Sequence, residues 1–356
     1  MAKDSRQEAA GEGPVGPFKP CFIGGGGKLR RLPLPESVDL AGFYAGRILF
    51  TLRDAWEVAG RTFPEGALLA IDAAAFRESG ELPSIETVYT PDDRTSIEGV
   101  TVSRSGLYVS LLQNVKGSIL RFGVEAKSGE WRAEPLPLPP SGTVSLSAAN
   151  PHSGTVFVNY EDHITPDRLS EYDAGANALT RLKALPARFR ADGLQVSQHT
   201  VRSADGEAVP YFIIHRKGLK PDGSTPTILY GYGGFEISLK PSYSATIGKL
   251  WLERGGAYAV ANIRGGGEFG PRWHKAALKT NRQRAYDDFI AVAEDLAKRG
   301  ITSPKRLGIS GGSNGGLLVG AIFTQRPDLM NAVVCRVPLL DMMRYTKLLA
   351  GASWAA

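Results

Sequence analysis

Between residues 40 and 190 the apolar residues come in short runs broken by Gly, Pro, Asp and Ser, and no long window keeps a 3.6-residue period. That pattern predicts strands joined by turns. The runs recur in pairs: GRILFTL (46–52) with ALLAID (67–72), GLYVSLL (106–112) with SILRFGV (118–124), and GTVFVNY (154–160) with RLSEYDA (168–174). Leu69, Leu120 and Leu169 mark equivalent places, 51 and then 49 residues apart. A four-stranded unit repeating at about fifty residues is the footprint of a β-propeller blade, because each blade buries its faces only against its neighbours. Propellers close with ~4 to 8 blades. Three units therefore predict part of a propeller with blades missing upstream, and a sandwich of irregular strands is the alternative.

Near residue 190 the pattern changes. VPYFIIHR (209–216), PTILYG (226–231), AYAVANI (257–263), RLGIS (306–310) and AVVCRVP (332–338) are compact apolar runs, several without polar alternation, as in strands buried on both faces. Between the third and fourth, AYDDFIAVAEDLAKRG puts Phe289, Val292, Ala293, Leu296 and Ala297 on one helical face, with Gly300 as the stop. The run after Ser313 predicts a second helix ending before Pro327. Strands alternating with helices predict a mostly parallel α/β sheet. The expected organisation is an irregular segment over 1–39, about three blades over 40–190, and an α/β domain over 191–356, with the boundary near ALPARFRADG.

Composition narrows this little: 42% hydrophobic and 22% charged residues describe a soluble globular chain. The net charge of +6 is spread over short pairs such as Arg30-Arg31 and Lys298-Arg299, which predicts a solvated surface and no nucleic-acid partner. Two cysteines, Cys21 and Cys335, are too few for a disulfide framework or a cysteine zinc site, and no metal or cofactor is expected. The first twenty residues have no apolar leader core, and no run approaches the ~18 apolar residues of a membrane span, so no membrane partner is expected.

The candidate chemistry lies at Gly311-Gly312-Ser313-Asn314-Gly315, a G-x-S-x-G pattern between an expected strand and an expected helix. That is the setting of a nucleophile elbow, whose turn is so sharp that side chains two residues either side of the serine would collide. The helix starting at Asn314 would aim its free N–H groups at charge developing on an attacked carbonyl. LYGYGGF (229–235) reads either as a packed aromatic turn or as a loop offering the Tyr232 hydroxyl, or a backbone N–H, to the same oxyanion. A dinucleotide-binding reading of Gly265 to Gly270, with Asp287 twenty residues beyond Gly267, is weak because no helix is expected at the third glycine and Pro271 follows it. GGGGK (24–28) lacks the spacing and the Ser/Thr of a phosphate loop.

With LYGYGGF, NIRGGGEFG, SPKRLGISGGSNGGLL and QRPDLMNAVV in this order, the chain resembles the prolyl oligopeptidase family of serine peptidases, densely from about residue 200 onward and more weakly over the blade-like part. The resemblance implies an α/β-hydrolase catalytic domain capped by a propeller, and cleavage of short peptides after proline through an acyl-enzyme at Ser313. It implies an oxyanion hole made by the Asn314 backbone N–H and the Tyr232 hydroxyl. It also implies that Phe235, Leu339 and Trp354 line a pocket for the proline side chain, ordinary core being the alternative for all three. The implied partners are short proline-containing peptides; a monomer is expected at full length. The expected compartment is the cytoplasm, or the periplasm if an upstream leader has been lost.

The chain departs from the α/β-hydrolase order of Ser, then Asp or Glu, then His. Ser313 is followed by 43 residues (356 minus 313) without a histidine, and His152, His163, His199, His215 and His274 all precede it. Asp328 and Asp341 lie off the pattern, and His274, in RWHKAAL, reads as part of a surface helix. The expectation is a chain truncated at both ends, with acid and base in the continuation and negligible peptidase activity alone. A catalytically dead scaffold and a related esterase or acylaminoacyl-peptidase are the alternatives.

Overall fold

A computed structural model describes residues 21–23, 29–150, 152–348 and 351, and the chain divides into two compact units at the Tyr89–Thr90 bond. In the first unit, Val38–Tyr44, Arg47–Leu52, Leu68–Asp72 and Ile85–Tyr89 form an antiparallel sheet in chain order. Alternation sets its faces: Ile48 opposes Ile71 and Phe50 opposes Leu69, and all four are buried. Asp72 ends the third strand and caps the helix Ala73–Ser79, its carboxylate accepting from Ala75 N–H at 2.8 Å.

The second unit holds two more antiparallel four-stranded sheets, Thr95–Ser103, Gly106–Gln113, Lys116–Val124 and Trp131–Pro135, then Thr143–Ala149, Val156–Glu161, Arg168–Asp173 and Ala178–Ala184. Each is a meander, so the fifty-residue recurrence corresponds to three four-stranded sheets. Asn114 and Val115 form a two-residue hairpin turn with φ of 46° and 64°. A β-branched residue there is unfavourable. Burial offsets it: Val115 belongs to the apolar cluster that contains Val209, Tyr211 and Phe212 of the α/β sheet.

The elements of the α/β part are β1 (Leu194–Arg202), β2 (Ala208–Arg216), β3 (Thr227–Tyr230), α1 (Ala245–Leu250), β4 (Ala257–Ala261), α2 (Pro271–Lys275), α3 (Gln283–Lys298), β5 (Leu307–Gly312), α4 (Asn314–Gln325) and β6 (Ala332–Arg336). The sheet order is β1-β2-β4-β3-β5-β6; the first two pairings are antiparallel and the other three parallel. All five apolar runs read from the sequence are strands. β1 escaped notice because LQVSQHTVR alternates half-buried polar residues along an edge. Phe289, Val292 and Leu296 of α3 and Leu318, Val319 and Ile322 of α4 share one core with Leu229, Ala259 and Ile309 of the sheet. This is the burial that the helical stripe required. No helix among the described residues is long and apolar enough to cross a membrane.

Candidate active site

β5 ends at Gly312 and α4 begins at Asn314, so Ser313 alone turns the chain. Its φ of 57° and ψ of −118° lie in a region that L-residues seldom occupy. The turn is held from both sides: Ser313 N–H donates to Arg336 O of β6 at 3.0 Å, and Ser313 O accepts from Gly316 and Leu317 N–H. A Cβ on Gly311 would collide with the Gly315 carbonyl, and one on Gly315 would stand 2.6 Å from Gly231 O. The glycines around the serine are therefore a packing requirement of a strand doubling back into a helix.

Gly231 starts the loop that follows β3, and this loop lies against the elbow. Asn314 is buried; its Nδ2 donates to Tyr232 O at 2.6 Å, and its Oδ1 accepts from Arg282 Nη2 at 3.2 Å. Arg282 Nη1 donates in turn to Gly233 O. The main-chain N–H of Asn314, at the first helical position, has no intrahelical acceptor. Ser313, Asn314 and Tyr232 are thus brought together. Phe235, 47% exposed, follows in the same loop with φ of 54°. Leu339 is half-buried in the segment beyond β6, where its neighbour Pro338 packs on Gly316. Trp354 lies outside the described residues.

Gly265 to Gly270 do not form a phosphate cradle, because their inner side is filled by protein backbone. Cβ atoms on Gly265 and Gly267 would meet the carbonyls of Gly233 and Glu236. A helix does open after Gly270, contrary to the expectation drawn from Pro271, because proline at the first helical position suits a helix start. Asp287, the suggested ribose ligand, instead accepts from Gln283 Nε2 at 3.0 Å. His274 is half-buried in α2; its Nδ1 lies 2.8 Å from Gly265 O and 3.1 Å from the Glu236 main-chain nitrogen, at the junction of the two loops.

Several charged residues that the sequence reading passed over hold these loops. The guanidinium of Arg264, almost wholly buried, forks onto Asp288 and reaches Asp205, while its own N–H donates to Asp288 at 3.0 Å. The hydrogen bond from the Arg264 guanidinium holds the Asp205 carboxyl below its ordinary value. Glu268 is fully buried, and burial pushes its carboxyl up to about 7. Its Oε1 accepts from Leu239 N–H at 3.0 Å and from Asn262 Nδ2 at 3.3 Å, whereas Oε2 has no partner among the described residues. The signal was present as charges inside otherwise apolar or glycine-rich stretches, Arg264 and Glu268 in NIRGGGEFG and Asp288 in AYDDF.

The histidines are placed elsewhere. His215 bonds to Arg216 O, and His199 packs on Tyr211. His163 borders a cavity of about 320 Å³ with Glu161, Tyr230 and Tyr258, and burial pushes its imidazole down to about 4. No hydrogen bond joins a described histidine to Ser313.

Residues 241–354 match the family model described as prolyl oligopeptidase family, and residues 56–184 match that of the prolyl oligopeptidase N-terminal beta-propeller domain. An uncharacterized peptidase of Sinorhizobium fredii is 48% identical over 327 residues, 91% of this chain and 45% of that protein. A prolyl endopeptidase of Elizabethkingia meningoseptica is 42% identical over 220 residues, 62% of this chain and 31% of that protein. The solved structure of a post-proline cleaving enzyme from Rickettsia typhi superposes with a TM-score of 0.84 at 34% identity, over 92% of this chain and 47% of that one. The chain spans less than half the length of these relatives.

Proposed function

Because the chain belongs to the prolyl oligopeptidase family, we propose that it is the part of a serine peptidase that carries the nucleophile, and that the intact protein cleaves short peptides after proline. Ser313 Oγ adds to the carbonyl carbon of the proline residue, and its proton passes to a base. The tetrahedral oxyanion is held by the Asn314 main-chain N–H and the Tyr232 hydroxyl until the amine leaves, protonated, and an ester at Ser313 remains. Water reverses these steps on the ester and releases the acid. Phe235, Leu339 and Trp354 are assigned to the pocket that takes the pyrrolidine ring.

The observation that carries this reading is the strained Ser313 at a strand-to-helix turn against which the Tyr232 loop is packed. A strained residue is retained where the surroundings over-determine it, and such sites cluster at functional centres. The comparison proteins named for cleavage after proline add support for the substrate class.

The base and its acid partner are assigned to the portion of the intact protein that these 356 residues do not span. Without them the serine is a poor nucleophile, so the 356-residue polypeptide is expected to turn over substrate at no more than a residual rate, on the order of 10⁶ below a complete triad. A fluorogenic peptide with proline before the scissile bond is the test. The intact protein should hydrolyse it, and the Ser313→Ala variant should not. Equal activity in the two would sink the reading, and faster cleavage of non-prolyl esters would favour a related esterase.

A further inference from the structure

The oxyanion donors proposed above sit on separate segments, the first turn of α4 and the loop after β3. Strand pairing between β3 and β5 stops at Tyr230 opposite Ser310, before either donor is reached. Beyond that point one guanidinium bridges the two. Arg282, just before α3, donates through Nη1 to Gly233 O and through Nη2 to Asn314 Oδ1, and Asn314 passes the link on to Tyr232 O. The Tyr286 ring lies 5.4 Å from the guanidinium carbon and supports its face. Arg282 Nε is buried without a partner among the described residues. The side chain is thus oriented for its two acceptors and not for saturating its donors.

We propose that Arg282 is a positioning residue of the oxyanion site: without touching substrate, it locks the Tyr232 loop to the Asn314 helix start, so that both donors meet the same oxygen. This rests on the reading of Ser313 given above. The planar guanidinium holds its donors in a fixed fork that sets the spacing of the two oxygens, whereas the three donors of a lysine ammonium rotate on a flexible stem and fix it less well.

Loss of one oxyanion donor costs about 10² to 10³ in rate, and a misplacement near 1 Å about 10². In the intact protein assayed with a proline-containing fluorogenic peptide, Arg282→Ala is therefore expected to lower kcat by about 10², with KM changed less than about threefold. Affinity for a peptide aldehyde ending in proline, which adds to Ser313 as a tetrahedral hemiacetal, should fall in parallel with kcat/KM. Added guanidinium should restore part of kcat in Arg282→Ala. If that variant does not fold, Arg282→Lys carries the test, with the same direction and a smaller loss. Unchanged kcat, or a lowered melting temperature with kcat intact, would overturn the role of Arg282. Activity that survives Ser313→Ala would instead mean that the underlying reading has failed, whatever Arg282 does.

Discussion

At the scale of single residues, the strongest commitments are buried charges whose partners lie far away in the chain. Asp288 and Arg264 are 24 positions apart, both almost fully inaccessible, and bonded through a side-chain fork and a main-chain N–H. Asp288→Ala leaves the buried Arg264 charge with only the part-exposed Asp205 to compensate it, so the variant should lose roughly 3 kcal/mol of stability, read from denaturant midpoints. A change within experimental error would show that the pair contributes nothing. Glu268 allows a test of sign. Its carboxyl, ordinarily at 4.5, is pushed up to about 7 by burial, so the native state holds the proton more tightly than the unfolded chain. The resulting stability is fully present below about 4.5 and is lost as pH rises through 7. Glu268→Gln does not titrate, and its stability relative to the parent should climb from pH 5 to pH 8 by on the order of 3 kcal/mol. A pH-independent difference would refute the assignment. None of these residues was legible from the sequence as a structural partner, because a lone charge in an apolar run does not reveal which distant charge it meets.

Secondary elements were legible wherever burial dictated composition. Five strands of the sheet, the stripe of α3 and the limits of α4 follow from apolar spacing alone, and all but β6 are covered on the faces that the spacing marks. β1 was missed for the converse reason, its side chains being mostly half-buried and polar at the sheet edge. α2 was legible as a surface helix in RWHKAAL, but its start directly after Gly270 was not, because Pro271 reads as an interruption and yet occupies the first helical position. The elbow was legible as a pattern, and so was the crowding of Gly311 against Gly315 across the turn; what was not is that Gly315 also faces the loop after β3. Gly315→Ala should therefore cost about 1 to 3 kcal/mol, as overpacking does, while Gly123→Ala, with open space around the added methyl, should be tolerated. Equal effects at the two positions would remove the packing explanation. Of the residues assigned to the proline pocket, Phe235 sits in the loop packed on the elbow, and Leu339 lies beyond β6 in a segment whose neighbour also contacts α4.

For the whole molecule, β6 is the outer strand of the sheet among the described residues, and Val333, Val334 and Val337 are exposed along it and just past it. An apolar edge with unpaired backbone groups recruits other strands. The 356-residue polypeptide, produced alone, should self-associate as its concentration rises, and Val334→Lys should reduce this, as followed by light scattering. A monomer at all concentrations would contradict the expectation. The central claim concerns Ser313, and covalent capture tests it most directly. The intact protein is treated with a fluorophosphonate carrying a peptidyl-proline group, digested, and the peptide containing Ser313 is weighed by mass spectrometry. The expected result is one adduct, on Ser313, whose formation competes with hydrolysis of a prolyl peptide. An adduct on another residue, or unlabelled Ser313 in a protein that still cleaves the peptide, would contradict it.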